Sequence, residues 1–106
     1  MKSKYILVLV TCSSRKEAGV ISAALLKSRL VACVSIIGGV TSEFWWKGKI
    51  NAARETLLAS KTTRANFATV AREVRRLHSY DVPEVVAIPI VAGSAQYLKW
   101  IDESVK

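Results

Sequence analysis

The order of elements in this sequence predicts an α+β domain: a split βαβ, ferredoxin-like antiparallel sheet with its helices on one face and an extra helix at the C-terminus. Three observations carry that reading. Apolar β-branched runs recur four times, at Tyr5–Thr11, 31–46, 50–62 and 85–91. Amphipathic helical spacing falls after the first and third of them, and a Gly-containing loop, Lys47-Gly48-Lys49, falls between the second and third. Two right-handed crossovers flanking a hairpin then place both main helices on the same side of the sheet.

Tyr5 to Thr11 has no polar alternation, which is how a central strand buried on both faces reads. Ser14-Arg15-Lys16-Glu17 is a capping box, with Ser14 accepting from the Glu17 N–H while Glu17 reaches back. The helix it starts has Ala18, Ile21, Leu25 and Ser28 as its inward stripe, and Lys27 and Arg29 near its negative end. In the next strand Gly38-Gly39 reads as a bulge or bend within one long strand, the alternative being a turn between two short ones. Thr62 or Thr63 is placed to cap a second helix, which buries Phe67, Val70, Ala71, Val74 and Leu77 and turns Arg64, Arg72, Arg75 and Arg76 outward. Pro89 cannot donate to a ladder, so the last strand is expected at a sheet edge or with a bulge. Gly93-Ser94 caps a final helix with Tyr97, Leu98, Ile101 and Val105 inward.

At 106 residues, 51% hydrophobic and 23% charged, the chain forms a single domain, residues 1–106, and not a disordered tail. No apolar run approaches the roughly 20 residues that cross a bilayer, and Met1-Lys2-Ser3-Lys4 leads into too short an apolar stretch for a signal segment, so no membrane is expected and a cytoplasmic location is. Cys12 and Cys33 are then expected to stay reduced. The net charge is +8, with fourteen Lys or Arg against four acids in residues 1–80. That charge keeps a nucleic-acid or anion-binding module open as an alternative, although such modules stack bases on aromatics in their central strands and here those strands are aliphatic. No Gly-rich phosphate loop or nucleophile motif is present, so no catalytic residue is assigned and no enzyme is expected. The strands starting at Tyr5, Val31 and Val85 leave a second apolar sheet face, which calls for an oligomer; Phe44-Trp45-Trp46 on the hairpin arm reaches toward a neighbour.

The junction His78-Ser79-Tyr80-Asp81-Val82-Pro83-Glu84 holds the only histidine, and Pro83 keeps Val82 extended and so aims Glu84 at the strand that follows. Taken with Leu30-Val31-Ala32-Cys33-Val34, Gly39-Val40-Thr41-Ser42, Trp46-Lys47-Gly48-Lys49 and Lys61-Thr62, the chain resembles the CutA family of divalent-cation tolerance proteins. The resemblance implies a PII-like homotrimer in which the long hairpins wrap neighbours, with Phe44, Trp45, Trp46 and Tyr80 at the interface or on the arm. It also implies binding of copper or other divalent cations, with Cys33, His78 and Glu84 matching the family's strand cysteine, junction histidine and junction glutamate. Cys12 is an additional soft ligand candidate and Asp81 an additional hard one. This chain departs from the family in being basic and in carrying Ser13-Ser14-Arg15-Lys16 after its first strand and Lys47 after its hairpin tryptophan.

Overall fold

The structure is a computed structural model that describes residues 3–106; Met1 and Lys2, part of the N-terminus weighed above against a signal segment, lie outside the described residues. The elements are β1 (Tyr5–Cys12), α1 (Arg15–Lys27), β2 (Cys33–Trp46), β3 (Lys49–Thr63), α2 (Phe67–Leu77), β4 (Val85–Pro89) and α3 (Ala95–Ser104). The four strands form one sheet in the order β2-β3-β1-β4, every neighbouring pair antiparallel. With α1 and α2 as the two crossovers this is the split βαβ arrangement expected from the element order.

One face of the sheet carries the core. Ile6, Val8, Val10 and Cys12 of β1 stand beside Leu58 of β3 and pack on Ala18, Ile21 and Leu25 of α1 and on Val70 and Val74 of α2. The alternate residues of β1 face the other way and are only half buried, so the unbroken apolar run conceals a strand covered on one side in the single chain. On that open side Ile37, Val86 and Ile88 are each close to half exposed. Among the described residues no helix is long and apolar enough to cross a membrane.

β2 is one strand, as expected, with its register against β3 slipping between Ile37 and Val40, where Gly39 takes φ +72°. A positive φ at the extra residue of a bulge is what glycine supplies without strain. The hairpin closes through Lys47 and Gly48, both at positive φ, a two-residue turn whose twist suits the flanking strands. β1 pairs with β3 only as far as Thr56, so beyond Glu55 the hairpin is a free two-stranded arm.

Several local expectations are corrected. Ser28 does not face inward: α1 ends at Lys27, Ser28 is its exposed C-cap bonded to the Ala24 carbonyl, and Ser22 joins the buried stripe. Arg29 follows at φ +58°, and the bonds from Arg29 N to Leu26 O and from Leu30 N to Leu25 O complete a Schellman ending in which the helix carbonyls take precedence over the left-handed cost. Neither Thr62 nor Thr63 caps α2; both belong to β3, a 3₁₀ turn at Arg64–Asn66 intervenes, and Thr62 Oγ1 donates to the Leu30 carbonyl 2.7 Å away. β4 ends at Pro89 and occupies the sheet edge, as proline requires. Ser94 does cap α3, but only Ile101 of that helix is fully buried, and Tyr97 stays 39% exposed.

Candidate metal centre and the neighbouring cleft

α2 stops at Leu77 because His78 turns extended at ψ 144°, and the His78 N–H closes the last turn on the Val74 carbonyl. The imidazole is then driven under the end of β1. Its Nε2 lies 2.8 Å from the Thr11 carbonyl oxygen, and its Nδ1 accepts from the Tyr80 N–H at 3.1 Å. Since Nδ1 accepts, the ring proton sits on Nε2 and points at Thr11.

Glu17 is the other half of the arrangement. Ser14 caps α1 as the spacing predicts, with its hydroxyl accepting from the Glu17 N–H at 3.1 Å. The Glu17 carboxylate reaches one residue further back than a capping box requires, and Oε1 accepts from the N–H and hydroxyl of Ser13. Oε2 accepts from the Ser79 N–H at 2.9 Å, which pins the helix start to the junction 62 residues later. Burial works against its ionisation, but the bonds from Ser79 and Ser13 outweigh burial and hold the carboxyl at about 2. Oε1 stands 3.7 Å from His78 Nε2.

Cys12, the last residue of β1, completes the group from the helix-covered side. Its thiol is pushed up to about 12 by burial first and then by the negative charges of Glu17 and Glu55. The ligand atoms of Cys12, Glu17 and His78 all lie within 4.8 Å of one another, the only such convergence of three donors among the described residues. A thiol, an imidazole and a carboxylate form the mixed soft and borderline donor set that copper and zinc take. A cation entering there would replace the proton on Cys12, and Nε2 would ligate it only once the ring proton had passed to Nδ1, giving up both the Thr11 carbonyl and the Tyr80 N–H.

The remaining candidate ligands lie elsewhere: within one chain Cys33 and Glu84 do not converge with His78. Cys33 pairs with Lys61, which pairs with Leu7, so it lies five residues back along β1 from Cys12, about 17 Å at strand rise. It also points to the opposite face, where its Sγ is 3.7 Å from the Tyr97 hydroxyl and 3.9 Å from Lys61 Nζ. Glu84 and Asp81 are exposed and line a cleft between the junction and the hairpin arm, outside the convergent group. Tyr80 is not on the arm; its hydroxyl donates to Glu55 Oε2 at 2.8 Å and ties the junction to the base of the arm. Burial and then that bond push the phenol up to about 12. Phe44, Trp45 and Trp46 stand on the arm at 41%, 72% and 50% exposure. Glu17 is not legible as a candidate donor because its cap spacing already explains it; only the fold brings Ser79 and His78 to its carboxylate.

Among the described residues the nucleic-acid alternative finds no stacking platform: the one aromatic of β1, Tyr5, is half buried and its hydroxyl is bonded to Asp102. The open face of the two central strands presents Leu7, Leu9, Leu57 and Ala59, and the exposed tryptophans are on the arm and α3.

The family model described as CutA1 divalent ion tolerance protein matches residues 6–104. The chain is 44% identical over 99 residues to the divalent-cation tolerance protein CutA of Archaeoglobus fulgidus, covering 93% of this chain and 96% of that one. It is 43% identical over 97 residues to the CutA of Thermus thermophilus, covering 92% and 94%. Among solved structures it resembles the Cut A1 protein of Thermus thermophilus with a TM-score of 0.94 at 41% identity, over 96% of this chain and 99% of that one. CutA1 from Oryza sativa superposes with a TM-score of 0.95 at 35% identity, over 98% and 95%.

Proposed function

The chain belongs to the CutA1 divalent ion tolerance family, and on that premise we propose that it is a cytoplasmic, non-enzymatic homotrimer that binds divalent cations, copper foremost, at Cys12, Glu17 and His78. The observation that carries the reading is the convergence of those three donors within 4.8 Å in a family named for cation tolerance. Copper leads because a thiol with an imidazole ranks it above the other first-row divalent ions. The charge of +8 works against cation attraction at long range, but a Debye length of about 8 Å confines that repulsion, and at the site the field is set by Glu17 and Glu55.

The trimer rests on the open sheet face. Leu7, Leu9, Leu57, Ile37, Val86 and Ile88 lie on one surface that water covers poorly. The arm extends beyond the sheet with three aromatics to offer a neighbour, as a PII-like assembly of wrapped subunits would use them. Binding is preferred to catalysis because the Cys12 thiol is buried and pushed up to about 12, while His78 Nε2 and the Glu17 carboxylate are occupied by the Thr11 carbonyl and by Ser13 and Ser79.

Calorimetric titration of the apo protein tests the site, with Zn²⁺ first because it cannot oxidise a thiol and Cu²⁺ second. One ion per chain is expected, weakened about tenfold or more in Cys12→Ser and His78→Ala and unchanged in Cys33→Ser. Because Cys12 must lose its proton, affinity should climb roughly tenfold per pH unit through the neutral range. Equal affinity in all four proteins would retire the site. A light-scattering mass of one chain would retire the trimer.

A further inference from the structure

α1 and α2 cover one face of the sheet, and their outer side points away from the open face assigned to assembly, so it stays in contact with water in the trimer. The two helices carry six Lys and Arg against two acids, a surplus of four that is half of the chain's net +8. Both acids are already engaged, Glu17 by Ser13 and Ser79 and Glu73 by Arg76 at 2.8 and 2.9 Å. Arg15, Lys16, Lys27, Arg72 and Arg75 are exposed and make no ion pair among the described residues. Helical spacing sets the cations out in rows. Lys16 and Lys27 lie three turns apart on the outermost stripe of α1, and Arg72 and Arg76 one turn apart on that of α2. A field of one sign spanning two neighbouring helices, with no internal partner to neutralise it, concentrates anions at this surface.

The other side chains of the face narrow the class of anion. No aromatic is exposed on either helix, Phe67 being packed against the core, so the bases of a nucleic-acid strand have nothing to stack on. A duplex is too stiff to follow the rows on both helices. Val20 and Leu26 are the only large aliphatics exposed on α1, and α2 exposes none, which is too little apolar surface to anchor in a bilayer interface. The groove between the helices, about 300 Å³, is open, and beside Arg72 and Arg76 it is lined by the already paired Glu73, so it does not enclose a compact anion. The surface matches an anion that offers charge alone, repeated along a flexible chain.

We propose that the outer face of α1 and α2 is a docking surface for a linear inorganic polyphosphate chain. Each phosphate unit carries charge without a base or an acyl tail, and the flexible backbone lets one chain meet the cations of both helices. A long chain can reach the same face of a second subunit, which raises affinity without any new kind of contact.

A long-chain sodium polyphosphate is the probe, titrated by calorimetry at low salt into the assembled protein without added metal, because polyphosphate itself chelates divalent cations. Saturable binding is expected, tighter per phosphate than with tripolyphosphate and absent with orthophosphate, since affinity comes from the number of cations one chain meets. The logarithm of the affinity should fall linearly with the logarithm of the salt concentration. Lys27→Gln with Arg72→Gln, one cation from each helix, should weaken binding about tenfold and lower that salt slope by roughly 1–2. Lys49→Gln with Lys99→Gln removes the same charge from the tip of the arm and from α3, and should leave affinity within about twofold of wild type. Light scattering checks that each variant keeps the wild-type mass. Equal weakening in the two double variants would overturn the proposal, marking attraction to net charge alone. So would absence of saturable binding at low salt, saturation by orthophosphate, or tighter binding to duplex DNA or to phosphatidylserine vesicles at equal phosphate.

Discussion

Cys12 and Cys33 both sit in apolar β-branched sequence, yet they occupy opposite environments. Cys12 closes β1 on the helix-covered face, fully buried and in reach of a carboxylate and an imidazole. Cys33 opens β2 on the other face, half buried, in reach of a phenol and an ammonium. Strand parity and register alone separate them. What decides the chemistry of each thiol is the residue that the fold delivers from far along the chain: His78 from 66 positions away in one case, Tyr97 from 64 in the other.

The same split runs through Leu57 and Leu58, adjacent in β3 and facing opposite sides. Leu58 is fully buried in the helix-packed core. Leu58→Ala should cost about 2–5 kcal/mol in urea unfolding at any protein concentration, since it leaves a cavity that α1 and α2 cannot close. Leu57→Ala should cost less in the isolated chain, and its cost should grow with protein concentration as the chains assemble, because that face is the one we assign to the assembly. A concentration-independent loss of equal size in both variants would mean that the two faces are equally sealed within one chain.

Most of the fold was legible because its determinants are local. Apolar β-branched runs in the strands, helical spacing in α1 and α2, the glycine bulge and the proline at an edge each act within a few residues. The errors were local competitions decided by tertiary partners: Thr62 gave its hydroxyl to the Leu30 carbonyl, and Ser28 took a cap where a buried position was expected. The site was less legible. His78, Cys12 and Cys33 are all legible as candidate donors, but an apolar strand gives no sign of which face its cysteine takes until the register is known. Glu17 had a sufficient local role and so concealed its distant one.

Acid should act on the Cys12 side of this comparison first. The Glu17 carboxyl is held at about 2, below its ordinary 4.5, so its contribution is complete above pH 4.5 and is lost as pH falls toward 2. The unfolded chain binds the proton more readily over that window, and stability declines by an amount on the order of 2 kcal/mol. Glu17→Gln should flatten that part of the stability profile, lower stability at pH 7 and loosen hydrogen-exchange protection at Ser79. An acid limb of unchanged slope in the variant would move the titration to other carboxylates.

The smallest effects are those of the thiols themselves, and they test the comparison most directly. Cys12→Ser places a hydroxyl in a fully buried position, where it must find a partner near Glu17 or bear the desolvation cost, about 1–3 kcal/mol. Cys33→Ser keeps the Tyr97 hydroxyl and the Lys61 ammonium as ready partners at a half-exposed position, and should stay within about 0.5 kcal/mol of wild type. Chemical unfolding at two protein concentrations measures both. A ranking with Cys33→Ser the costlier at the higher concentration alone would mean that the open face is sealed by assembly. The same ranking at both concentrations would mean that the polar partners of Cys33 matter to the chain more than the convergence around Cys12 does.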